Sequence, residues 1–150
     1  MEMPIESKKI RPISLALIKN QKGQYLYHQG RDSVKGENFY RPLGGGIDFG
    51  ELAEMTLKRE MLEELNEEVI VHRFLTTYEN IFTYEHRFGH EIVMVFEAEF
   101  KNKAVYDKQE LTIHEHDGLT SIAVWRSLEE IKAEKAHLYP TGLEDLLSTL

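Results

Sequence analysis

Glu60, Glu63 and Glu64 stand three and four residues apart in the run Arg59-Glu60-Met61-Leu62-Glu63-Glu64. On a helix that spacing gathers three carboxylates on one side. Like charges so placed repel, and a sequence that keeps them together calls for a cation between them. Just upstream, Gly44-Gly45-Gly46 lets a backbone turn come close to a ligand, because glycine carries no Cβ. The chemistry these residues suit is that of a hard divalent metal held beside a phosphate. Magnesium takes oxygen ligands in an octahedron and keeps several waters, so a few carboxylates suffice. Glu60 and Glu64, one turn apart, can reach one ion, and Glu63 can hold a second ion or a bridging water. The bland alternative is a solvated acidic helix face, which is what charge runs usually are.

The wider segment, Gly44 to Glu67, resembles the Nudix box of MutT-like hydrolases. Gly45 opens the pattern, Glu51 follows after five residues, Arg59-Glu60 after seven more, and then come Met61 and Glu63-Glu64. With Gly45, Glu51 and Arg59 aligned to the acidic run, the solvated-face reading recedes. Two positions depart from the pattern: Asn66 stands at the last glycine and Glu67 at an apolar position. Asparagine tolerates the left-handed conformation that ends a helix, so Asn66 is expected to adopt it.

The resemblance implies an α+β Nudix fold, a mixed β-sheet sandwiched between α-helices, over residues 1–150 as one domain. It implies magnesium (Mg2+), with Mn2+ as a substitute, held by Glu60, Glu63, Glu64 and the backbone carbonyl of Gly44. Glu51 and Arg59 become a supporting pair, Arg59 orienting the carboxylates through charge-assisted hydrogen bonds. The implied reaction is hydrolysis of a nucleoside diphosphate linked to another group: a nucleoside triphosphate, a dinucleoside polyphosphate or a nucleotide sugar. Many members draw their general base from a carboxylate on a loop downstream of the box. Glu110, Glu115 and Asp117 are the candidates, Glu115 is favoured, and a glutamate of the box (Glu63 or Glu64) is the alternative. Tyr84 falls near the place where dinucleoside-polyphosphate members carry a tyrosine. A non-catalytic nucleotide-binding module of the same fold is the other reading, although such modules usually lose a box carboxylate and this chain keeps them all.

The elements that must position these residues read as mixed α and β. Ile13–Ile18 and Gln24–His28 read as strands joined by the turn Asn20–Gly23, and Gly30–Asn38 as a polar loop. Leu52–Leu65 is the helix, with Ala53, Leu57, Met61 and Leu65 as its apolar stripe. Val69–Val71, Leu75–Tyr84 and His90–Phe100 read as strands, and Lys101–Gly118 as a long loop. Ile122–Trp125 is a strand running into Ser127-Leu-Glu-Glu130, a capping box that opens a helix. Gly142–Leu147 closes with a short amphipathic helix. Arg31, Lys35 and Arg41 form a basic group before the box that suits terminal phosphates, and Phe39 and Tyr40 suit either a base or the core. His90-Glu91 suits the site or a structural contact.

Composition bounds the partners. The 150 residues suffice for a core without staples, and there is no cysteine, which removes disulfides and thiol chemistry. The net charge of −8 argues against a nucleic-acid polymer but not against a small polyanion, since bound cations reverse the local sign. The polar start MEMPIESKKIRP is unlike a signal peptide, and no apolar run is long enough to span a membrane. The expectation is a cytoplasmic protein with a small-molecule partner and no membrane; a homodimer stays open.

Overall fold

The computed structural model describes residues 8–150, so part of the polar N-terminal run lies outside the described residues. The chain begins with β1 (Ile10–Ile18), β2 (Tyr25–Asp32) and β3 (Glu37–Gly46), then helix α1 (Ala53–Leu65). Strands β4 (Val69–Tyr84) and β5 (Arg87–Phe100) follow, then a 3-10 turn at Lys103–Asp107 and β6 (Glu110–His114). The chain closes with β7 (Thr120–Arg126), α2 (Leu128–Ala133), β8 (His137–Leu138) and α3 (Leu143–Leu147). This is an α+β architecture in which the strands run in the order β4-β5-β1-β3-β2-β7-β6, with β8 beside β3. β1 and β5 are parallel, and so are β3 and β8; the other paired strands are antiparallel.

Alternation along β1 explains the layers, because successive side chains of a strand face opposite ways. Ala16 and Ile18 join Leu57 and Met61 of α1 in one core cluster. Ile13, Leu15 and Leu17 join Val93, Val95 and Leu143 of α3 in another. Strand β1 is thus covered on both faces, which accounts for its continuous apolar run. The stripe expected on α1 is the buried one: Leu57 and Met61 are inside, with Ala53 and Leu65 packed partly against them. Ser14 ties strand to helix, its hydroxyl donating to the Ala53 carbonyl at 2.8 Å.

The polar stretch expected to be a loop over Gly30–Asn38 is instead a β-hairpin, with Arg31 opposite Asn38 and Asp32 opposite Glu37. Strand β3 passes from β2 to β1 next to Pro42, which pairs with Tyr27, while Leu43 already pairs with Ala16. A proline is tolerated there because it lacks an N–H where the ladder changes partner. The two strands expected at Val69–Val71 and Leu75–Tyr84 are one strand, with register shifts at Val71/Arg73 and Phe74/Thr76. Those bulges fall at the expected gap. The long loop expected at Lys101–Gly118 contains β6, whose Leu111 and Ile113 are buried and alternate with exposed neighbours. The capping box is present: Glu130 N donates to Ser127 Oγ at 3.1 Å, and Ser127 N donates to Glu130 Oε1 at 2.9 Å.

Helix α1 ends at Asn66 with φ 55° and ψ 38°; Asn66 N donates to the Leu62 carbonyl and Glu67 N to the Met61 carbonyl, which closes the helix. Asn66→Gly is therefore expected to be neutral or stabilising by under about 1 kcal/mol, whereas the β-branched Asn66→Val costs about 1–2 kcal/mol. Chemical denaturation of the two variants beside the parent checks both values; equal stability of Gly and Val variants would contradict the left-handed cap.

Candidate active site

Helix α1 lies against the end of β3 so that its acidic side meets the three glycines. A Cβ on Gly45 would run into the carboxylate carbon of Glu60, and a Cβ on Gly44 would run into the Ser14 carbonyl of β1. The glycines are thus required by close approach, from the helix on one side and the neighbouring strand on the other. They sit at the end of a strand rather than in the turn expected from their composition. The resulting cavity is lined by Gly44–Gly46, Glu60, Glu63, Glu64 and Arg59, with Glu91 from β5, Arg11 and Ile13 from β1, and Glu115 and His116 from the turn between β6 and β7.

Arg59 is the hub of this acidic group. Its Nε donates to Glu51 Oε2 at 2.8 Å and one terminal nitrogen to Glu51 Oε1 at 2.9 Å, a two-pronged pair. The same nitrogen reaches the Gly46 carbonyl at 3.0 Å, and the other reaches Glu60 Oε1 at 2.8 Å and Glu63 Oε2 at 3.3 Å. Hydrogen bonds from Arg59 and then from Thr56 hold the Glu51 carboxyl down to about 2. Arg59 thereby ties the loop before α1, the end of β3 and two box glutamates into one rigid corner. Glu64 lies outside these contacts and is buried. Burial first, then the charges of Glu60 and Glu115, push its carboxyl up to about 9. A cation beside this carboxyl would offset the same crowding of charge.

Of the three loop acids, only Glu115 enters the cavity. It accepts from Ser121 Oγ at 2.7 Å, and His28 Nε2 lies 3.9 Å from it. Asp117 is exposed and accepts from Leu119 N within the turn, and Glu110 is exposed at the start of β6. His116, which sequence reasoning passed over, stands beside Glu115 and faces the box, with Nε2 at 3.4 Å from Glu60 Oε2 and 3.6 Å from Glu63 Oε2.

A second cavity adjoins the first. It is lined by Phe39, Phe82, Tyr84 and Tyr139, with Lys35, Arg41, His28 and Asn80 among its polar residues. Phe39 meets Tyr84 and Tyr139 edge-on, with ring centroids at 5.7 and 5.8 Å. At its rim the β2–β3 and β4–β5 hairpins touch: Ser33 N and Oγ each donate to the Glu85 carboxylate at 2.6 Å. On its inner side, buried His28 Nδ1 has no hydrogen-bond partner among the described residues. Arg41 and Glu91 form a buried ion pair at 2.7 Å, Arg41 facing the aromatic cavity and Glu91 the acidic one. The expected basic group is thus divided. Lys35 and Arg41 reach the aromatic cavity, while exposed Arg31 donates to Asn38 at 2.9 Å and lines neither cavity. Phe39 lines the cavity, whereas Tyr40 is core, its hydroxyl donating to Glu134 at 2.6 Å. Glu91 belongs to the site; His90 lines neither cavity.

A family model described as the NUDIX domain matches residues 9–145. The chain is similar to a NUDIX hydrolase from Nitrosomonas europaea, at a TM-score of 0.63 and 18% identity over 93% of this chain and 87% of that one. It is similar to the MutT protein from Methanosarcina mazei Go1, at a TM-score of 0.62 and 18% identity over 95% and 94% of the two chains. It is also similar to a MutT NUDIX hydrolase from Burkholderia pseudomallei, at a TM-score of 0.62 and 19% identity over 95% and 99%. At such identities the likeness speaks for the fold. Among curated proteins no match is found.

The raised Glu64 carboxyl gives a signed pH dependence. A pKa higher in the folded than in the unfolded chain contributes stability that is complete below the ordinary value of 4.5 and is lost as pH rises through about 9. A divalent cation bound at Glu64 would replace that proton, so its binding should release a proton near neutral pH and tighten as pH rises toward about 9. Calorimetry in buffers of different ionisation enthalpy measures the release, and Glu64→Gln should abolish it.

Proposed function

Because the chain belongs to the NUDIX family, whose domain spans residues 9–145, we propose that it is a divalent-metal-dependent hydrolase of the diphosphate linkage in a nucleoside diphosphate derivative. The substrates that fit are a nucleoside triphosphate, a dinucleoside polyphosphate or a nucleotide sugar. The observation that carries this reading is the pair of adjoining cavities, one acidic and glycine-walled, the other aromatic, divided by the Arg41–Glu91 pair. A molecule with a planar apolar end and an anionic middle matches that division.

The residues present fit a hard cation. Glu60, Glu63 and Glu64 offer carboxylate oxygens, and Gly45 leaves room beside Glu60 that a Cβ would fill. With the Gly44 carbonyl as a fourth donor, the set is all oxygen and suits magnesium, with manganese as a substitute. When bound, the metal supplies positive charge that offsets the diphosphate and makes water a stronger acid. Arg59 fixes where the carboxylates stand and is a positioning residue. Arg11 and Arg59 bring positive charge to the cavity wall, where the diphosphate oxygens would lie.

In the aromatic cavity Phe39, Phe82, Tyr84 and Tyr139 present ring faces and edges to a base. His28 Nδ1 and the buried Asn80 offer polar contacts there, and Lys35 a charge. Glu115 is the general base of this reading. Its carboxylate takes a proton from the attacking water as the new P–O bond forms and the bridging P–O bond breaks, and the leaving phosphate carries away the bridging oxygen. Ser121 holds that carboxylate in place. The same reading places the protein in the cytoplasm with small molecules as partners; no described helix is long and apolar enough to cross a membrane.

A panel of nucleoside triphosphates, nucleotide sugars and dinucleoside polyphosphates, assayed with magnesium for phosphate and pyrophosphate release, tests the activity. Silence across the panel would return the chain to the non-catalytic reading. Glu115→Gln should lower kcat about 10²–10⁴-fold, the usual range for loss of a general base, with metal affinity little changed. The exposed Glu110→Gln should match the parent. If Glu115→Gln keeps full activity, the base lies within the box.

A further inference from the structure

We propose that His116 is a metal ligand, and that with Glu60 and Glu63 it forms a mixed nitrogen–oxygen position that prefers a first-row transition-metal dication such as manganese over magnesium. The inference rests on the metal-site reading above and adds to it a residue outside the box. One ligand atom from each of the three residues lies within 4.8 Å of the others. His116 Nε2 stands 3.4 Å from Glu60 Oε2 and 3.6 Å from Glu63 Oε2. Adjacent ligands on an ion with bonds of about 2.1 Å stand roughly 3 Å apart, so His116 Nε2 needs to close on each carboxylate oxygen by only a few tenths of an ångström.

Two further observations bear on the geometry. Arg59 engages Oε1 of Glu60, which leaves Oε2 for the side where His116 stands. His116 is also carried by a pinned backbone. Gly118 N donates to the Glu115 carbonyl at 3.1 Å, Glu115 N donates to the Leu119 carbonyl at 2.9 Å, and Leu119 N donates to Asp117 Oδ1 at 2.9 Å. Gly118 takes the left-handed φ of 85° that closes this tight turn. The imidazole is therefore held over the carboxylates by a short, hydrogen-bonded reverse turn, and its 55% exposed side chain leaves the metal open to solvent and substrate.

The chemical consequence follows from ligand type. Magnesium takes oxygen and dehydrates reluctantly; manganese also favours oxygen but, as a first-row transition metal, accepts an imidazole nitrogen more readily, and nickel and zinc suit it better still. A position built from two carboxylates and one imidazole separates the two classes of ion, while the Glu64 side of the cavity remains an all-oxygen position.

The test uses the full chain loaded with Mn2+ and read by pulsed electron paramagnetic resonance, which detects nitrogen bonded to the ion. The parent should show nitrogen coupling, and His116→Ala should lose it. By calorimetry His116→Ala should weaken Mn2+ about tenfold or more while changing Mg2+ less than about twofold. His114→Ala, an exposed neighbour on β6, should change neither quantity. Bound Mn2+ without nitrogen coupling, or equal weakening of both ions in His116→Ala, overturns the proposal and leaves the hydrolase reading standing. Failure of the parent to bind Mn2+ at all, or undiminished Mn2+ binding in Glu60→Gln, overturns both.

Discussion

Repulsion among the carboxylates of Glu51, Glu60, Glu63 and Glu64 sets the terms for the site, because a single guanidinium is shared by three of them and the fourth stands outside its contacts. Arg59 meets Glu51, Glu60 and Glu63 at 2.8 to 3.3 Å. One positive charge cannot neutralise three negative ones, and burial weakens the help that water could give. Burial and the neighbouring charges therefore push the Glu64 carboxyl up, and Glu60 is pressed against the bare backbone of Gly45. Glycine there, arginine one residue before the first box carboxylate, and the apolar stripe that fixes the roll of the helix all serve the same end. They crowd negative charge where a divalent cation would relieve it.

That crowding is held by both layers of the core. Ala16 and Ile18 seat the helix, and Ile13, Leu15 and Leu17 seat the opposite helix, so the glycine end of β3 has a fixed neighbour on each side. Strand β3 contributes twice. Its first half pairs with β2 and carries Phe39 and Arg41, and its last residues pair with β1 and carry the glycines. The aromatic and acidic cavities are therefore two stretches of one strand, which fixes the distance between them.

How much of this was legible in the sequence depended on whether the signal was local. Helix α1, its buried stripe, its left-handed end at Asn66 and the capping box of α2 follow from residues within a few positions of one another. The Arg59–Glu51 pair was legible too, since motif spacing encodes it. The strand β3 was not, because Gly36, Pro42 and the three glycines read as loop composition, and only partner exchange at Pro42 makes a strand there. The Glu85-His86 turn was equally hidden: both residues take positive φ, at 51° and 67°, without being glycine or asparagine. His116 escaped notice for a related reason. Its sequence neighbours suggested a loop of charges, and a pattern of Leu111 and Ile113 flanking polar residues was the available sign that a strand would aim that turn at the helix. The basic trio Arg31, Lys35 and Arg41 looked like one group along the chain, yet strand alternation and burial sent its members to different surroundings.

The Arg41–Glu91 pair restricts how this site can change over evolutionary time. Both side chains are almost wholly buried, at 3% and 1% exposure. Removing one partner of a buried ion pair typically costs about 3–5 kcal/mol, a large share of the stability of a domain of this size. Replacing both together by apolar residues of similar volume can be nearly neutral. Single-step drift is therefore confined to the ring of aromatic residues, where one side chain can be exchanged at modest cost. The partition between the cavities moves only through paired substitutions in two strands fifty positions apart in the chain. A lineage descended from this chain would be expected to diversify first in the aromatic lining, and much later in the spacing between the two cavities.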